Sequence, residues 1–179
     1  MAETKLTGKN VLMVIPYTQF RDEEFFEPKR ILESEGATVT VASTAVRMCH
    51  GAKGGSIQSQ LTIADAKAED FDALVICGGP STPEFFWNDK KLAELAVAAS
   101  AAGKVVAAIS LATVVLAKAK LLAGKQATVY FLPQAIQELK SGGATYVSEP
   151  LVVQDKLILA EGPTESARFG HAISAALVG

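Results

Sequence analysis

The sequence has few cysteines and histidines, and this scarcity limits the metal and redox chemistry that it can support. Two residues are cysteine, Cys49 and Cys77, and two are histidine, His50 and His171. Their spacing matches no zinc motif and no CxxC redox motif. We therefore expect no bound metal ion and no cofactor. A low cysteine content is typical of a reducing compartment, so we expect a cytoplasmic protein.

The sequence also lacks long apolar runs and an excess of charge of one sign. Lys, Gly or Ser interrupts each apolar stretch before it reaches membrane-spanning length. The first residues, MAETKLTGKN, are polar and contain no apolar core of signal-peptide length. The formal net charge is -2, without a block of like charges, and a protein that neutralises phosphates would carry a basic face. We expect neither a membrane nor a nucleic acid as a partner.

The composition and the pattern of the chain favour an α/β fold. Apolar residues make up 49% of the chain and charged residues 20%, which is typical of a globular domain. Short β-rich runs alternate with amphipathic helical runs, as in a parallel sheet covered by helices on both faces. We expect one domain over residues 1–179, built as a three-layer sandwich around a mostly parallel central sheet.

The element boundaries follow from apolar periodicity and from helix start and stop signals. The predicted strands are 10–15, 38–42, 72–77, 104–109, 127–130, 151–153 and 157–160, and the predicted helices are 24–35, 90–102, 111–122, 133–140 and 165–178. Residues 43–59 are predicted to form a loop or an antiparallel excursion. Thr82 is predicted to cap a helix, and Pro28 to lie in or near a first helical turn.

Three features follow predicted strands and could form one cleft at the ligand-binding edge of the sheet. Ser110 stands between a strand and an immediate helix, where a strained backbone pushes a side chain outward; helix capping explains the same pattern. Gly78 and Gly79 let a backbone approach a substrate closely, or form an ordinary tight turn. Glu24 complements a helix dipole, or acts as an acid or base in a cleft.

Four segments in this order resemble the ThiJ/PfpI superfamily over nearly the whole chain: VLMVIPYTQFRDEEFFEP, DALVICGGP, KVVAAISLATVVLAKAKLLAGKQAT and LVVQDKLILAEGPTESARFGHAI. This superfamily includes the Parkinson's-associated deglycase, PfpI-type intracellular proteases and chaperone-like glyoxalases. The resemblance implies a flavodoxin-like fold, related to class I glutamine amidotransferases. It also implies a homodimer or a higher homo-oligomer.

The resemblance assigns roles to individual residues. Ser110 matches the reactive cysteine of the family, and Glu24 matches the glutamate that hydrogen-bonds the thiol. Gly78 and Gly79 match glycines that line the oxyanion site, to which we add the backbone of Leu111. We predict a positive φ at Ser110 and a hydroxyl within hydrogen-bonding reach of Glu24. The serine is either natural or an engineered replacement of cysteine; the sequence is compatible with both.

The chain departs from the family at several positions near the predicted cleft. PfpI-type proteases have a histidine where this chain has Leu111, and a proline where it has Thr113. Tyr130 aligns with a histidine near the pocket of the deglycase branch, and Cys77 borders the predicted cleft. A serine hydroxyl needs an adjacent base to become a nucleophile, whereas a cysteine in such a site ionises near neutral pH.

Three functional hypotheses follow. In the leading one, the protein keeps the cleft, has weak or no cysteine-type hydrolase or glyoxalase activity, and binds a small metabolite or has a stress-related role. In the second, Ser110 or Glu24 supports a hydrolase or hydratase (a protease or amidase by resemblance) that acts on a small carbonyl or acyl substrate. In the third, the protein is a structural or regulatory oligomer. His50 and His171 match no catalytic position, and the aromatic run 85–87 is expected in the core or in an interface.

Overall fold

The computed structural model describes residues 4–179. Within them the strands are β1 (Asn10–Val14), β2 (Thr18–Phe20), β3 (Thr38–Ser43), β4 (Met48–Gly51), β5 (Ser56–Gln58), β6 (Leu61–Thr62), β7 (Ala73–Ile76), β8 (Val105–Ile109), β9 (Gln126–Ala127), β10 (Thr145–Tyr146), β11 (Leu151–Gln154) and β12 (Leu157–Ala160). The α-helices are α1 (Asp22–Ser34), α2 (Thr82–Phe85), α3 (Lys90–Ala101), α4 (Thr113–Lys118), α5 (Pro133–Ser141) and α6 (Ser166–Val178). Short 3₁₀ turns cover Ile63–Asp65, Ala68–Asp70, Ser110–Ala112 and Pro163–Glu165.

The central sheet has seven strands within the described residues, in the order β11-β12-β8-β7-β1-β3-β6. β11 runs antiparallel to β12, and the other neighbouring strands of this sheet are parallel. After β1 the chain adds β3 on one side, and later adds β7 on the other side of β1. The strand order therefore reverses beside β1, and open parallel sheets bind ligands at the carboxyl ends of strands at such a point.

Helices cover both faces of the sheet because successive side chains of each buried strand point to opposite faces. In β1, Leu12 and Val14 belong to the core formed with α3, α4 and α5. Val11 and Met13 belong to a second core, formed with α1 and α6. The predicted three-layer, mostly parallel architecture is confirmed.

Most predicted elements begin and end within two residues of their predicted boundaries, but two segments are much shorter. The predicted helix 111–122 is a 3₁₀ turn, Ser110–Ala112, followed by α4, which ends at Lys118. The helix stops there because Lys120 has a φ of 65°, which no right-handed helix tolerates. The predicted strand 127–130 is reduced to Gln126–Ala127, which pairs with β10.

The segment 43–59 is the antiparallel excursion that was one of its two predicted forms. β4 and β5 pair antiparallel, and β2 adds to β4 to complete a second, three-stranded sheet. The prediction for Thr82 is wrong by one position, because Thr82 is the first residue of α2 and Ser81 precedes the helix. Ser81 uses its hydroxyl elsewhere, donating a hydrogen bond to the carbonyl oxygen of Thr18 at 2.6 Å.

α1 and α6 approach each other closely at Gly170. A Cβ atom at this position would lie 3.0 Å from the Cα of Pro28 and 3.0 Å from the Cδ1 of Ile31. A side chain at position 170 therefore requires α1 to move away from α6.

Gly170→Leu is expected to lower the free energy of unfolding by about 1–3 kcal/mol, because it overpacks this helix contact. Chemical denaturation measures the change. His171→Leu is the matched control, since His171 is the next residue of the same helix and is exposed. Equal losses in the two variants would contradict a close approach at Gly170.

Candidate functional site

A cavity of about 190 Å³ opens at the carboxyl edge of the central sheet. Its lining consists of Arg21, Glu24, Gly79, Pro80, Ser110, Leu111, Tyr130 and Pro163. These residues come from the beginning of α1, the loop after β7, the turn after β8 and two later segments of the chain. The segments that were predicted to converge on one cleft therefore do so.

Ser110 lies between an extended strand end and a 3₁₀ turn. Ile109 has φ -131° and ψ 144°, whereas Ser110 has a φ of 63°, so the predicted positive φ is confirmed. A serine in this left-handed region is strained by about 1–3 kcal/mol. Ser110 is only 4% exposed and lies in the wall of the cavity rather than in open solvent.

A buried tryptophan supports the turn that carries Ser110. The indole Nε1 of Trp87 donates a hydrogen bond to the carbonyl oxygen of Leu111 at 2.9 Å. Trp87 and Phe86 both belong to the core that packs α3, α4 and α5 against the sheet. The aromatic run 85–87 thus contributes to core packing, one of its two predicted locations, and holds the residue next to Ser110.

Close contacts with neighbouring residues, rather than the geometry of an ordinary turn, require glycine at positions 78 and 79. A Cβ at Gly78 would lie 2.9 Å from the Oε1 of Glu24 and 3.2 Å from the Cβ of Ser110. Gly79 has a φ of 146°, and a Cβ there would lie 2.7 Å from the backbone nitrogen of Arg21. The N–H of Gly78 is engaged with Glu24, so Gly79 and Leu111 are left as the predicted backbone donors.

Glu24 is almost completely buried, with 1% of its surface exposed. Its Oε1 accepts a hydrogen bond from the N–H of Gly78 at 2.9 Å, and its Oε2 has no hydrogen-bond partner among the described residues. The hydroxyl of Ser110 lies close enough to lower the pKa of this carboxyl, although the two groups do not form a hydrogen bond of regular geometry.

Burial determines the ionisation of Glu24. It raises the pKa of the carboxyl to about 8, against the opposing effects of the Gly78 N–H, the Ser110 hydroxyl and the positive charge of Arg21; the charge of Glu23 raises it further. Glu24 is therefore mostly protonated at neutral pH. In that state Oε1 still accepts from Gly78, and the acid proton on Oε2 makes no hydrogen bond of regular geometry within residues 4–179.

Cys77 does not line the cavity, so its prediction as a pocket residue is wrong. Its thiol donates to the main-chain oxygen of Glu24 at 3.4 Å. This oxygen lacks its helical partner because Pro28, four residues later, has no N–H. α1 begins at Asp22, so Pro28 lies beyond the first turn, contrary to prediction. Burial, followed by the charge of Glu24, raises the pKa of the Cys77 thiol well above its usual value.

The remaining ionisable residues differ in their relation to the cavity. Tyr130 lines it as predicted and is 47% exposed. Arg21 and Pro163, which the sequence analysis missed, line it as well. Arg21 gave no signal because an arginine beside three acids resembles a solvated helix start. His50 and His171 are exposed and are not among the lining residues, so neither is placed to act as a base.

Two further findings concern the described residues as a whole. Within residues 4–179 no three side chains of His, Cys, Asp or Glu are arranged to hold a metal ion. None of the helices in that range combines the length and the apolarity needed to cross a bilayer.

The comparison with known families identifies the chain. Residues 9–176 match the model of the DJ-1/PfpI family. The chain belongs to this family. The resemblance to the ThiJ/PfpI superfamily is thereby confirmed, together with the flavodoxin-like fold that it implied.

Individual relatives agree with this assignment. A protein of Methanocaldococcus jannaschii, itself uncharacterised, is 45% identical over 165 residues, which cover 92% of this chain and 80% of that protein. A protein of Pyrococcus abyssi named as a deglycase is 29% identical over 152 residues, which cover 85% of this chain and 90% of that protein. The crystal structure of a ThiJ/PfpI domain protein from Brachyspira murdochii matches with a TM-score of 0.90 and 34% identity, covering 95% of this chain and 98% of that one.

The raised pKa of Glu24 predicts that stability falls as the pH rises. The carboxyl has an ordinary pKa of 4.5 and a pKa of about 8 in the folded protein, so between these values only the folded state keeps the proton. Unfolding releases that proton, and the free energy of unfolding decreases by up to about 1.4 kcal/mol per pH unit in this window. Below pH 4.5 both states are protonated and the contribution of Glu24 is fully present.

Glu24→Gln should remove this slope, because the amide keeps an acceptor for the Gly78 N–H and cannot ionise. Chemical denaturation at several pH values between 5 and 8 measures the slope in both proteins. Glu27→Gln changes a partly exposed glutamate of the same helix that pairs with Arg30, and it should leave the slope intact. The same pH dependence in the natural sequence and in Glu24→Gln would exclude a raised pKa.

Proposed function

We propose that the chain binds a small carbonyl-bearing metabolite in the cavity beside Ser110 and Glu24, with weak or no cysteine-type hydrolase or glyoxalase activity. The observation that carries this proposal is the buried Oε2 of Glu24, which has no partner among the described residues, in a residue that lines the cavity. Leaving a buried polar group unpaired is costly, and a ligand acceptor would remove that cost. A carbonyl oxygen is such an acceptor for a protonated carboxyl.

The size of the cavity favours a metabolite over a peptide. Its volume of about 190 Å³ is below the range of about 300–1,000 Å³ that is typical of sites for drug-sized ligands. Pro80, Leu111 and Pro163 provide apolar lining between the polar groups. This cavity suits a molecule of a few carbon atoms, whereas a protease must also hold the chain on both sides of the scissile bond.

The side chains around Ser110 do not favour nucleophilic attack. A serine hydroxyl needs a neighbouring base, and Glu24 already carries a proton at neutral pH because burial raises its pKa to about 8. Both cysteines of the chain are fully buried. A deglycase-like reaction that depends on a thiolate therefore lacks its nucleophile. We propose a stress-related role, by analogy with a relative in Bacillus subtilis that is named general stress protein 18 and is 30% identical over 167 residues.

A second candidate function is acid–base catalysis by Glu24. A general acid works best when its pKa lies near the operating pH, and burial raises the pKa of Glu24 to about 8. A hydratase or isomerase reaction at a small carbonyl compound requires such a group and no thiolate. In this reaction Glu24 would donate a proton to the carbonyl oxygen and take it back.

Turnover of a small 2-oxoaldehyde and hydrolysis of an acyl ester separate these functions. We expect Ser110→Ala to leave the activity of the unsubstituted chain unchanged within a factor of about two, since removal of a true nucleophile costs several orders of magnitude. Ser110→Cys should gain turnover, and an alkylating reagent should modify its new thiol faster than Cys49 or Cys77. A large loss of activity in Ser110→Ala would instead identify serine as a nucleophile, and loss in Glu24→Gln alone would support the second candidate.

A further inference from the structure

We propose that the ligand of this cavity carries a carboxylate that binds to the guanidinium of Arg21, while its carbonyl group faces Ser110 and Glu24. The ligand class is a 2-oxo acid of three or four carbons. This inference rests on the proposed function, because it names the chemical class of the molecule that occupies the same cavity.

The main chain of Arg21 is fixed by the loop that also holds Glu24. Its backbone N–H donates a hydrogen bond to the carbonyl oxygen of Gly78 at 2.9 Å, and Arg21 immediately precedes α1 as its N-cap residue. Arg21 lines the cavity, and its side chain is 32% exposed. Arg21 is therefore a component of the cavity wall rather than a free surface side chain.

One edge of the Arg21 guanidinium is already hydrogen-bonded, and this bond orients the group. Its Nε donates to the Oε2 of Glu23 at 2.6 Å, and the Oε1 of Glu23 lies 3.3 Å from the Nζ of Lys53. Within residues 4–179 the two terminal nitrogens of Arg21 have no hydrogen bond to a side chain or to the main chain. Paired guanidinium donors of this kind match the geometry of a carboxylate.

The charges around the cavity favour an anion. Among the lining residues only Arg21, Glu24 and Tyr130 are ionisable, and the positive charge of Arg21 is the one present at neutral pH when Glu24 is protonated. Glu23 compensates part of this charge, but it is shared between Arg21 and Lys53. A neutral dicarbonyl compound would accept from Glu24 but would offer the guanidinium of Arg21 no charged acceptor.

The size of the cavity and the positions of its polar groups restrict the anion. Arg21 and Glu24 line the same cavity, and its volume of about 190 Å³ leaves little room for a long chain between the two polar groups of a ligand. Pro80 and Pro163 add apolar surface that suits a methyl or methylene group. A carboxylate next to a carbonyl, with one or two further carbons, meets all of these conditions.

Pyruvate and pyruvamide test the inference, because the two have the same shape and differ in charge. Calorimetric titration at pH 6.5 should give at least about tenfold tighter binding of pyruvate, as expected for charge-assisted hydrogen bonds. Arg21→Gln should lower the affinity for pyruvate by about tenfold or more and change that for pyruvamide by less than about twofold. Arg21→Lys keeps the positive charge but loses the paired donors of the guanidinium. Its affinity for pyruvate should therefore lie between those of the unsubstituted chain and of Arg21→Gln. Arg30→Gln, at an exposed position of α1, is the control and should change neither affinity.

The outcomes separate this inference from the proposed function. Equal affinities for pyruvate and pyruvamide in the natural sequence would overturn the carboxylate class and leave the binding of small carbonyl compounds intact. A preference for pyruvate that survives Arg21→Gln would overturn the assignment to Arg21. Failure of both compounds to bind would overturn the inference together with the proposed function.

Discussion

The burial of the Glu24 carboxyl against the loop after β7 is the constraint on which the cavity depends. Two contacts hold this residue, one from the N–H of Gly78 to Oε1 and one from the thiol of Cys77 to the main-chain oxygen. The second contact exists because Pro28 has no N–H to offer that oxygen. Both donors belong to the end of β7 and its loop, so they attach the beginning of α1 to the carboxyl edge of the sheet.

On the proposed function, this arrangement gives the site hydrogen-bond donors rather than a nucleophile. Burial keeps Glu24 protonated at neutral pH, and the serine next to it has no base to activate it. The left-handed backbone of Ser110 nevertheless preserves the abrupt turn from β8 into the following 3₁₀ turn. Membership of the DJ-1/PfpI family therefore accounts for the fold that forms the cavity, while we propose that the serine at position 110 and the raised pKa of Glu24 limit its chemistry.

The fold was predictable because continuous apolar strands alternate with helices, and the strained turn because no linker separates β8 from the segment after it. The position of Cys77 could not be predicted from the sequence. A residue at the end of a strand faces one core or the other, depending on where the strand twists into its loop. Pro28 was misplaced because the polar residues that precede Glu24 left the start of α1 ambiguous. Arg21 was missed because its role depends on the Gly78 loop, which is distant in sequence and adjacent in space.

The protonation state of Glu24 is the central claim, and ¹³C NMR of the glutamate side-chain carboxyl groups measures it most directly. The resonance that disappears in Glu24→Gln belongs to this residue and can be followed across a pH titration. A midpoint at about pH 8 is expected, because burial raises the pKa of the carboxyl to that value. A midpoint near the ordinary value of 4.5 would show a charged carboxylate at neutral pH and would contradict a site that acts as a hydrogen-bond donor.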